Sequence, residues 1–283
     1  MERSTENSVI ARGATVEKLA GGFEFTEGPT CDVHGDVFFT DQPNDRILKW
    51  SAEGKLSTFL EPAGRANGMC FGPGGDLIAC ADEKNELWSI ARDGSVRVLV
   101  GEYAGRRLNG PNDVWVAPDG AIYFTDPFYK RSWWTHDTMP QDGQHVYFLP
   151  PDRRQLVRVI DDLVKPNGII GTPDGTTLYI ADHGARKTYR YDIASDGSLS
   201  GKTLAANHGS DGMTLDTDGN LFLTGDGVAV FDRTGREIER IAVPERWTAN
   251  VSFGGKDRRT LFITASRGLY AVRTRVTGAN AAK

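Results

Sequence analysis

The sequence predicts an all-β fold, a six-bladed β-propeller, and three observations support this prediction. One pattern, in which a polar residue opens an apolar strand, a turn and a second apolar strand, occurs six times along the 283-residue chain. Further strand and turn patterns lie between the copies, so each repeat holds about four short strands, the size of one propeller blade. No long stretch has the periodicity of an amphipathic helix.

The third copy, NDVWVAPDGAIYFTD, shows the pattern clearly. Val114 and Val116 alternate along its first strand, Ile122 and Phe124 alternate along its second, and Pro118-Asp119-Gly120 has the composition of a tight turn. Segments such as DRILKWSAEGKLSTFL and NELWSIARDGSVRVLV supply the remaining strands of other repeats. The copies begin at Glu27, Asn67, Asn112, Asn167, Asp211 and Asn250, at intervals of 39 to 55 residues.

The last repeat is one strand short. After the sixth copy, GLYAVRTRV supplies a third strand, so we expect the early segment TVEKLA to complete this blade and to close the ring without exposed edges. We therefore assign residues 13–276 to a single propeller domain, and we expect flexible termini at residues 1–12 and 277–283.

Composition excludes several classes of partner. The formal net charge is -5 and charged residues make up 25% of the chain, so no basic face is available for nucleic acid. No segment resembles a signal peptide or is long and apolar enough to cross a bilayer. We expect a cytoplasmic protein without a membrane partner, or a periplasmic one if a signal peptide has been removed. The sequence leaves open whether it is a monomer or a dimer.

Cysteine and histidine spacing does not indicate a metal site. Cys31, Cys70 and Cys80 are odd in number and show no C-x-x-C spacing, so we expect three small buried hydrophobic residues without a disulfide. The five histidines show neither H-x-H nor H-E-x-x-H spacing.

The polar residues that open the six copies, called head residues below, lie where a propeller's innermost strands line the central channel. Every head residue has a side-chain oxygen, and a ring of carboxylates and carboxamides suits a hard cation. The alternative is that Asn and Asp merely cap turns at the blade entrances. Glu27 argues against this alternative because glutamate is not a turn former.

Four motifs resemble a known family. EGP (27–29), NGPNDV (109–114), KPNGI (165–169) and SDGM (210–213), together with GGKDRRTLFITA, are similar to the gluconolactonase and senescence-marker-protein (regucalcin) family of six-bladed propellers, and most of all to its bacterial gluconolactonases. The resemblance extends from about residue 15 to residue 273. It implies a divalent ion at the channel mouth, held by Glu27, Asn112, Asn167 and Asp211.

The resemblance also implies an activity, hydrolysis of a sugar lactone such as glucono-1,5-lactone. The ion would polarise the lactone carbonyl while Asp211 acts as the catalytic general base on water, with nucleophilic attack by Asp211 as the alternative. Because all the ligands are oxygens, we expect Ca²⁺, with Zn²⁺, Mg²⁺ and Mn²⁺ as alternatives. Nothing in the chain implies an organic cofactor.

Substrate contacts are expected from the channel mouth and the loops around it. Arg107 matches an arginine that points at the lactone in family members, although an arginine on a loop can simply be solvated. Asp126 and Asp182, at the ends of second strands, would cap the following loop, with a polyol contact from Asp126 as the alternative, and for His183 the alternative is a place on the surface or beside the site. The expected substrate-binding residues are Arg107, Asn109, Asn67, Asp126, His183, Trp133 and Asn250.

The segment 127–144, called the insertion below, accounts for the longest interval between copies. Its paired Trp133 and Trp134 would either stack on a sugar ring as a lid or pack on the blade surface.

Two other functions compete with the lactonase. One is a non-catalytic propeller that binds calcium or a protein partner, and the other is a related esterase or phosphotriesterase. The complete set of implied ligands favours an enzyme over a binding scaffold.

Overall fold

The computed structural model describes residues 8–279. Within this range the chain forms six four-stranded antiparallel sheets, and the first strand of each sheet contacts the first strand of both neighbouring sheets, which closes a ring around a channel. The prediction of an all-β, six-bladed propeller is therefore confirmed.

The strand bounds follow, with each blade given from the channel outward. Blade 1 contains Thr26–Cys31, Val37–Asp41, Arg46–Trp50 and Leu56–Leu60, and blade 2 contains Ala66–Phe71, Leu77–Ala81, Glu86–Ile90 and Val96–Val100. Blade 3 contains Val114–Val116, Ile122–Asp126, His145–Leu149 and Val157–Ile160, and blade 4 contains Pro166–Gly171, Thr177–Asp182, Lys187–Ile193 and Leu199–Ala206. Blade 5 contains Met213–Leu215, Leu221–Gly225, Gly227–Phe231 and Glu237–Ile241, and blade 6 contains Thr248–Gly254, Thr260–Ala265, Gly268–Arg273 and Glu17–Gly21. A short 3-10 helix, Gln42–Asn44, and a hairpin of Glu102–Tyr103 with Arg106–Arg107 complete the elements.

Burial along each blade explains the apolar pattern of the repeats. The second strand of a blade is buried along all or nearly all of its length, as in Val37–Asp41 and Ile122–Asp126, because other blades pack on both of its faces. The outermost strand, such as Leu56–Leu60, is largely exposed and more polar. Apolar clusters fill the junctions between neighbouring blades, so packing between blades stabilises the ring.

The N-terminal strand closes the ring as expected. Glu17–Gly21 pairs antiparallel with Gly268–Arg273 and becomes the outermost strand of blade 6. The first and last parts of the chain are thus joined by backbone hydrogen bonds, and blade 6 has its fourth strand.

The ordered chain extends beyond the expected boundaries of residues 13 and 276. Val9 is buried in the cluster between blades 5 and 6, and Ile10 forms a β-bridge with Thr274. At the other end Gly278 bridges Asp216. A buried valine and backbone pairing thus hold parts of segments 8–12 and 277–279 against blades 5 and 6, and the flexibility expected of the termini stays a prediction. Residues 1–7 and 280–283 of the expected termini lie outside the described range.

The cysteines are free, as expected. Cys31 and Cys80 are buried and Cys70 is half-buried, and burial raises the pKa of Cys31 and of Cys70 to about 12. Their thiols are therefore protonated at neutral pH and poorly reactive. Between residues 8 and 279, no helix combines the length and apolar character that a bilayer crossing needs.

Candidate metal centre and active site

The six head residues all lie at one end of the channel. Four of them are within the innermost strand of a blade, and Asn112 and Asp211 come just before such a strand. All are buried except Asp211, which is half-buried. The blade repeat thus brings together side chains that are far apart in sequence, as the register of the copies predicted.

Irregular pairing explains how polar head residues are tolerated in these strands. The ladder between the first two strands shifts register beside Glu27, Asn67, Asn167 and Asn250. A bulge of this kind interrupts the ladder and turns a side chain out of the regular alternation. The head residues are therefore not forced to pack between blades, where an unpaired amide or carboxyl group would be costly.

The glycine that follows most head residues allows neighbouring blades to approach closely. A Cβ atom on Gly28 would lie 2.1 Å from the carbonyl oxygen of Asn67, and Gly28 has a φ of 49°. A Cβ atom on Gly168 would lie 2.7 Å from the carbonyl oxygen of Asp211. These backbone contacts between blades keep the ring of head residues narrow, and no residue with a Cβ atom fits in their place.

Asp211 is held by two hydrogen bonds from neighbouring blades. Asn167 donates from Nδ2 to Oδ1 of Asp211 at 2.8 Å, and Trp247 donates from Nε1 to Oδ2 at 2.7 Å. Burial raises the pKa of Asp211, while the indole N–H of Trp247 is the largest opposing influence. The carboxyl group is therefore fixed in one orientation and partly protected from the cost of its burial.

Glu27 is the second carboxylate of the ring. Its Oε2 atom accepts a hydrogen bond from the backbone N–H of Gly28 at 3.0 Å. Burial, and next the nearby charge of Asp211, raise the pKa of Glu27 well above its usual range. A bound positive charge would relieve this repulsion between the two carboxylates of the ring.

The donor atoms fit a divalent cation. Oδ1 of Asn167 is buried and has no hydrogen-bond partner among residues 8–279, although Nδ2 of the same side chain makes two hydrogen bonds. A buried carbonyl oxygen without a donor is costly unless something else binds it. Within that range no three Asp, Glu, His or Cys side chains are arranged to hold a metal ion, but the candidate set needs no such group because half of its members are asparagines.

A family match covers most of the chain. Residues 25–267 match the family described as the SMP-30/Gluconolactonase/LRE-like region. The chain belongs to this family. It is 30% identical to the gluconolactonase of Zymomonas mobilis over 96% of this chain and 85% of that protein. The resemblance inferred from the four sequence motifs is thereby confirmed.

Two further relatives extend the comparison. A solved gluconolactonase of Xanthomonas campestris is 30% identical, with a TM-score of 0.87 over 94% of this chain and 91% of that chain. The 6-deoxy-6-sulfogluconolactonase of Pseudomonas putida is 30% identical over 53% of this chain and 53% of that protein.

In this family member, two of the expected substrate-binding residues lie in the ring itself. The amide of Asn250 packs on Gly212, and its Oδ1 atom accepts a hydrogen bond from the backbone N–H of Val251 at 2.8 Å. Asn67 is buried, and its backbone oxygen accepts a hydrogen bond from Thr40. His183 is half-buried near Asp211, and its charge lowers the pKa of that carboxyl group.

Three other expected substrate contacts are placed differently. Arg107 is exposed on the hairpin before blade 3. Asn109 is fully buried and donates from Nδ2 to the backbone oxygens of Asp126 and Gly143. Both carboxyl oxygens of Asp126 accept backbone N–H groups, those of Asn109 and Gly110, which is the capping role left open by the sequence. These placements favour structural roles for Asn109 and Asp126.

Asp182 also caps a loop. Its carboxyl oxygens accept the backbone N–H groups of Val164, Lys165 and Ala185 at 2.9 to 3.0 Å. The capping interpretation of this residue is confirmed.

The two tryptophans of the insertion have different surroundings. Trp134 donates from Nε1 to the backbone oxygen of Asp82 and stacks on His136 at 4.9 Å, so it packs against the blades. The guanidinium of Arg65 lies 4.7 Å from the centre of the Trp133 ring, and that of Arg131 lies 5.7 Å from it. Nε1 of Trp133 is buried without an acceptor within the described part of the chain.

Sequence reasoning missed three residues of the site: Tyr129, Arg131 and Trp247. The hydroxyl of Tyr129 accepts a hydrogen bond from Nδ2 of Asn167 at 3.1 Å. Arg131 forms a 2.6 Å ion pair with the buried Asp82 and lies near enough to Asp211 to lower its pKa. None of the three is at a repeated position, and only the proximity of Trp247 to the sixth head residue was a signal.

Proposed function

We propose that this chain hydrolyses a sugar lactone of the glucono-1,5-lactone type in a metal-dependent reaction. The observation that carries the proposal is the Asn167–Asp211 pair, in which a half-buried carboxylate is held by two donors beside an amide oxygen that has no partner among residues 8–279. The gluconolactonases among its relatives support the choice of substrate class.

The four residues Glu27, Asn112, Asn167 and Asp211 would hold the ion. Two carboxylates balance a divalent charge, and oxygen donors alone favour Ca²⁺, with Mg²⁺, Mn²⁺ and Zn²⁺ as alternatives. When bound, such an ion would polarise the lactone carbonyl and stabilise the negative charge that develops on its oxygen.

Asp211 would act as the general base. Each of its oxygens accepts one hydrogen bond, from Asn167 or from Trp247, and retains a lone pair that can take a proton from the attacking water. Both donors keep the carboxyl group from rotating, which holds the basic atom in place. Direct attack by an Asp211 oxygen on the carbonyl carbon is the alternative: it would break the bond between that carbon and the ring oxygen and leave a mixed anhydride on Asp211, which water would then hydrolyse.

The first test is hydrolysis of a panel of aldonolactones by protein stripped with a chelator and then supplied with Ca²⁺, Mg²⁺, Mn²⁺ or Zn²⁺. We expect turnover to return with metal and to be highest with a hexono-1,5-lactone. Absence of turnover with every metal would contradict the proposal and favour the related esterase, phosphotriesterase or non-catalytic calcium-binding function.

Two variants test the roles of single residues. Asp211→Ala and Asn167→Ala should each reduce kcat/KM by at least about 100-fold, because each removes a proposed ligand and the first also removes the base. The far-ultraviolet circular dichroism of both should match that of the wild type. Asp93→Ala, in an exposed turn of blade 2, is the control and should retain full activity. Full activity in Asp211→Ala would remove the mechanism.

The location, partners and oligomeric state expected of the enzyme are part of the same proposal. We expect a cytoplasmic enzyme with no nucleic-acid or membrane partner, which acts as a monomer or dimer on a small-molecule substrate.

A further inference from the structure

Two cationic side chains lie beside Tyr129, at the edge of the proposed active site. Nζ of Lys165 is 4.3 Å from the centre of the Tyr129 ring, and the guanidinium carbon of Arg131 is 5.7 Å from it. Because the Tyr129 hydroxyl contacts Asn167, both cations are within one aromatic side chain of a proposed metal ligand. One cation comes from the insertion and the other from the loop that precedes the innermost strand of blade 4.

These cations are only partly neutralised by the protein. Arg131 uses Nε for its ion pair with Asp82, and in the described range its two terminal nitrogens have no hydrogen-bond acceptor, while the side chain remains 21% exposed. Lys165 is half-buried and forms no ion pair with any carboxylate of residues 8–279. A cation held over an aromatic ring without a carboxylate partner keeps most of its charge for a ligand.

Three carboxylates near this region are already assigned, and a fourth, Asp113, is buried and accepts the backbone N–H groups of Val114 and Ile169. Asp82 is paired with Arg131, and Glu27 and Asp211 belong to the proposed ligand set. A divalent ion would balance the two ring carboxylates, so the mouth would then carry excess positive charge from Lys165 and the outer edge of Arg131. Nearby Arg65 adds to it, since its closest carboxylate, Glu83, is 3.8 Å away and exposed.

We propose that the substrate is a sugar lactone that carries an anionic oxyacid group, a phosphate, sulfonate or carboxylate, and that Arg131 and Lys165 bind this group. The inference deepens the proposed lactonase function and rests on it. In a hexono-1,5-lactone, only the ring oxygen and C5 separate the exocyclic carbon from the carbonyl carbon. An anionic group on that carbon would therefore lie close to the reacting centre, where the two cations stand.

The two residues have different tasks. The ion pair to Asp82 fixes the guanidinium of Arg131 and leaves the terminal nitrogens to donate two parallel hydrogen bonds to an oxyacid. Lys165 supplies a point charge that tolerates several positions of the anion. Arg131 therefore orients the group, and Lys165 adds attraction with less geometric demand.

The test compares 6-phosphoglucono-1,5-lactone with glucono-1,5-lactone as substrates of the metal-loaded protein. We expect the phosphorylated lactone to have the higher kcat/KM, and its advantage to shrink as ionic strength rises. In Lys165→Gln, and in Arg131→Gln, the ratio of the two kcat/KM values should fall about 10- to 100-fold, the size of one charged hydrogen bond or ion pair.

Lys202→Gln is a matched control. Lys202 also lies over a tyrosine ring, with Nζ 4.5 Å from the centre of Tyr189, but it pairs with Asp162 on the outer part of blade 4. Its removal should leave both substrates unaffected. Since Arg131→Gln also releases a contact of the insertion, Lys165→Gln decides the question if the arginine variant loses stability.

A binding measurement separates failure of this inference from failure of the proposed function. Calorimetric titration of the metal-loaded protein should show that 6-phosphogluconate, which is not hydrolysed, binds at least about tenfold more tightly than gluconate, and that Lys165→Gln abolishes the difference. Equal affinities, or an unchanged kcat/KM ratio in both variants, would overturn the inference. If no lactone is hydrolysed with any metal but the calorimetric difference is present, the lactonase is contradicted and the anion site stands.

Discussion

At the scale of single residues, Trp247 has the most direct effect on the proposed base. Its indole N–H is a strong neutral donor at the edge of the channel, and it bonds to one oxygen of a carboxylate that burial makes costly. Among the proposed ligands in the described range, Trp247 forms a hydrogen bond with Asp211 alone. Its effect is therefore on the orientation and charge of Asp211.

Trp247→Phe should reduce kcat/KM about tenfold, because it removes one hydrogen bond to a charged group while it keeps most of the ring. Steady-state kinetics with a hexono-1,5-lactone is the measurement. Trp88→Phe serves as the control, since Nε1 of Trp88 donates to Glu86 in blade 2, away from the ring of head residues. Equal losses in the two variants would mean that the indole N–H of Trp247 has no special role.

The head residues could be predicted from the sequence, but the side chains that hold them in place could not. Glu27, Asn112, Asn167 and Asp211 share a repeat position, and a repeat position is visible in one sequence. Trp247 and the insertion residues are unique to one blade, so no internal comparison could reveal them. Asp126 also shows the limit of composition, because an aspartate at a strand end can cap backbone N–H groups as readily as it can bind a polyol.

At the scale of elements, the innermost strands depend on glycine where blades meet. Gly28 combines a positive φ with a contact in which an added Cβ atom would overlap the Asn67 oxygen. Backbone strain and overlap between blades would each destabilise a variant with a Cβ atom at this position. Substitution of a second glycine that has a positive φ but no such overlap separates the two effects.

Gly28→Ala should lower the free energy of unfolding by about 3 kcal/mol, as backbone strain and overpacking combine. Gly54→Ala should cost only about 1 kcal/mol, because Gly54 has a φ of 79° but its added Cβ atom would meet nothing closer than 3.8 Å. Urea unfolding of both variants measures the difference. Similar costs would show that the contact between blades relaxes at little expense.

The insertion carries a prediction of its own. Trp133→Ala should change the relative kcat/KM values for different lactones by about fivefold or more, and change metal affinity by less than about twofold, because the ring lies beside the guanidinium groups of Arg65 and Arg131 and is not one of the proposed ligands. The measurement is a preference profile together with metal titration. An unchanged profile would assign this tryptophan to packing.

At the scale of the whole molecule, the repeat in the sequence was sufficient to predict the blade number and the closing strand. Alternating apolar residues and glycine turns indicate four strands per blade. The sixth copy and the segment after it supply only three strands, so the fourth strand of that blade must come from the N-terminal segment. The boundaries were less predictable. The segment around Val9 has no counterpart in the other repeats, so its burial between blades 5 and 6 could not be read from the pattern.

Buried acids give the metal-free protein an unusual dependence on pH. Burial raises the pKa of Asp82 to about 6 and the pKa values of Asp113 and Asp126 to about 7, and it also raises those of Glu27 and Asp211. A carboxyl group with a raised pKa in the folded state contributes stability below its unfolded pKa of about 4, and this contribution is lost as pH rises through the folded value.

The urea concentration at which half of the metal-free protein is unfolded should therefore be lower at pH 8 than at pH 5. His136 and His208 oppose this trend because burial lowers the pKa of each, but fewer groups are involved. Addition of the activating metal should reduce the difference by binding the ionised carboxylates. If the unfolding midpoint of the metal-free protein were the same or higher at pH 8 than at pH 5, this account of the buried acids would be contradicted.

The closing strand also sets how the molecule would respond to mechanical force. Glu17 is paired with Ala271, so the N-terminal end of one strand lies next to the C-terminal end of its partner. Tension applied to the two ends of the ordered chain would therefore break these hydrogen bonds one after another, and would not shear them all at once. Blade 6 would open first, and since it holds Trp247 and Asn250, a tethered molecule would lose the support of the proposed active site before the other five blades came apart.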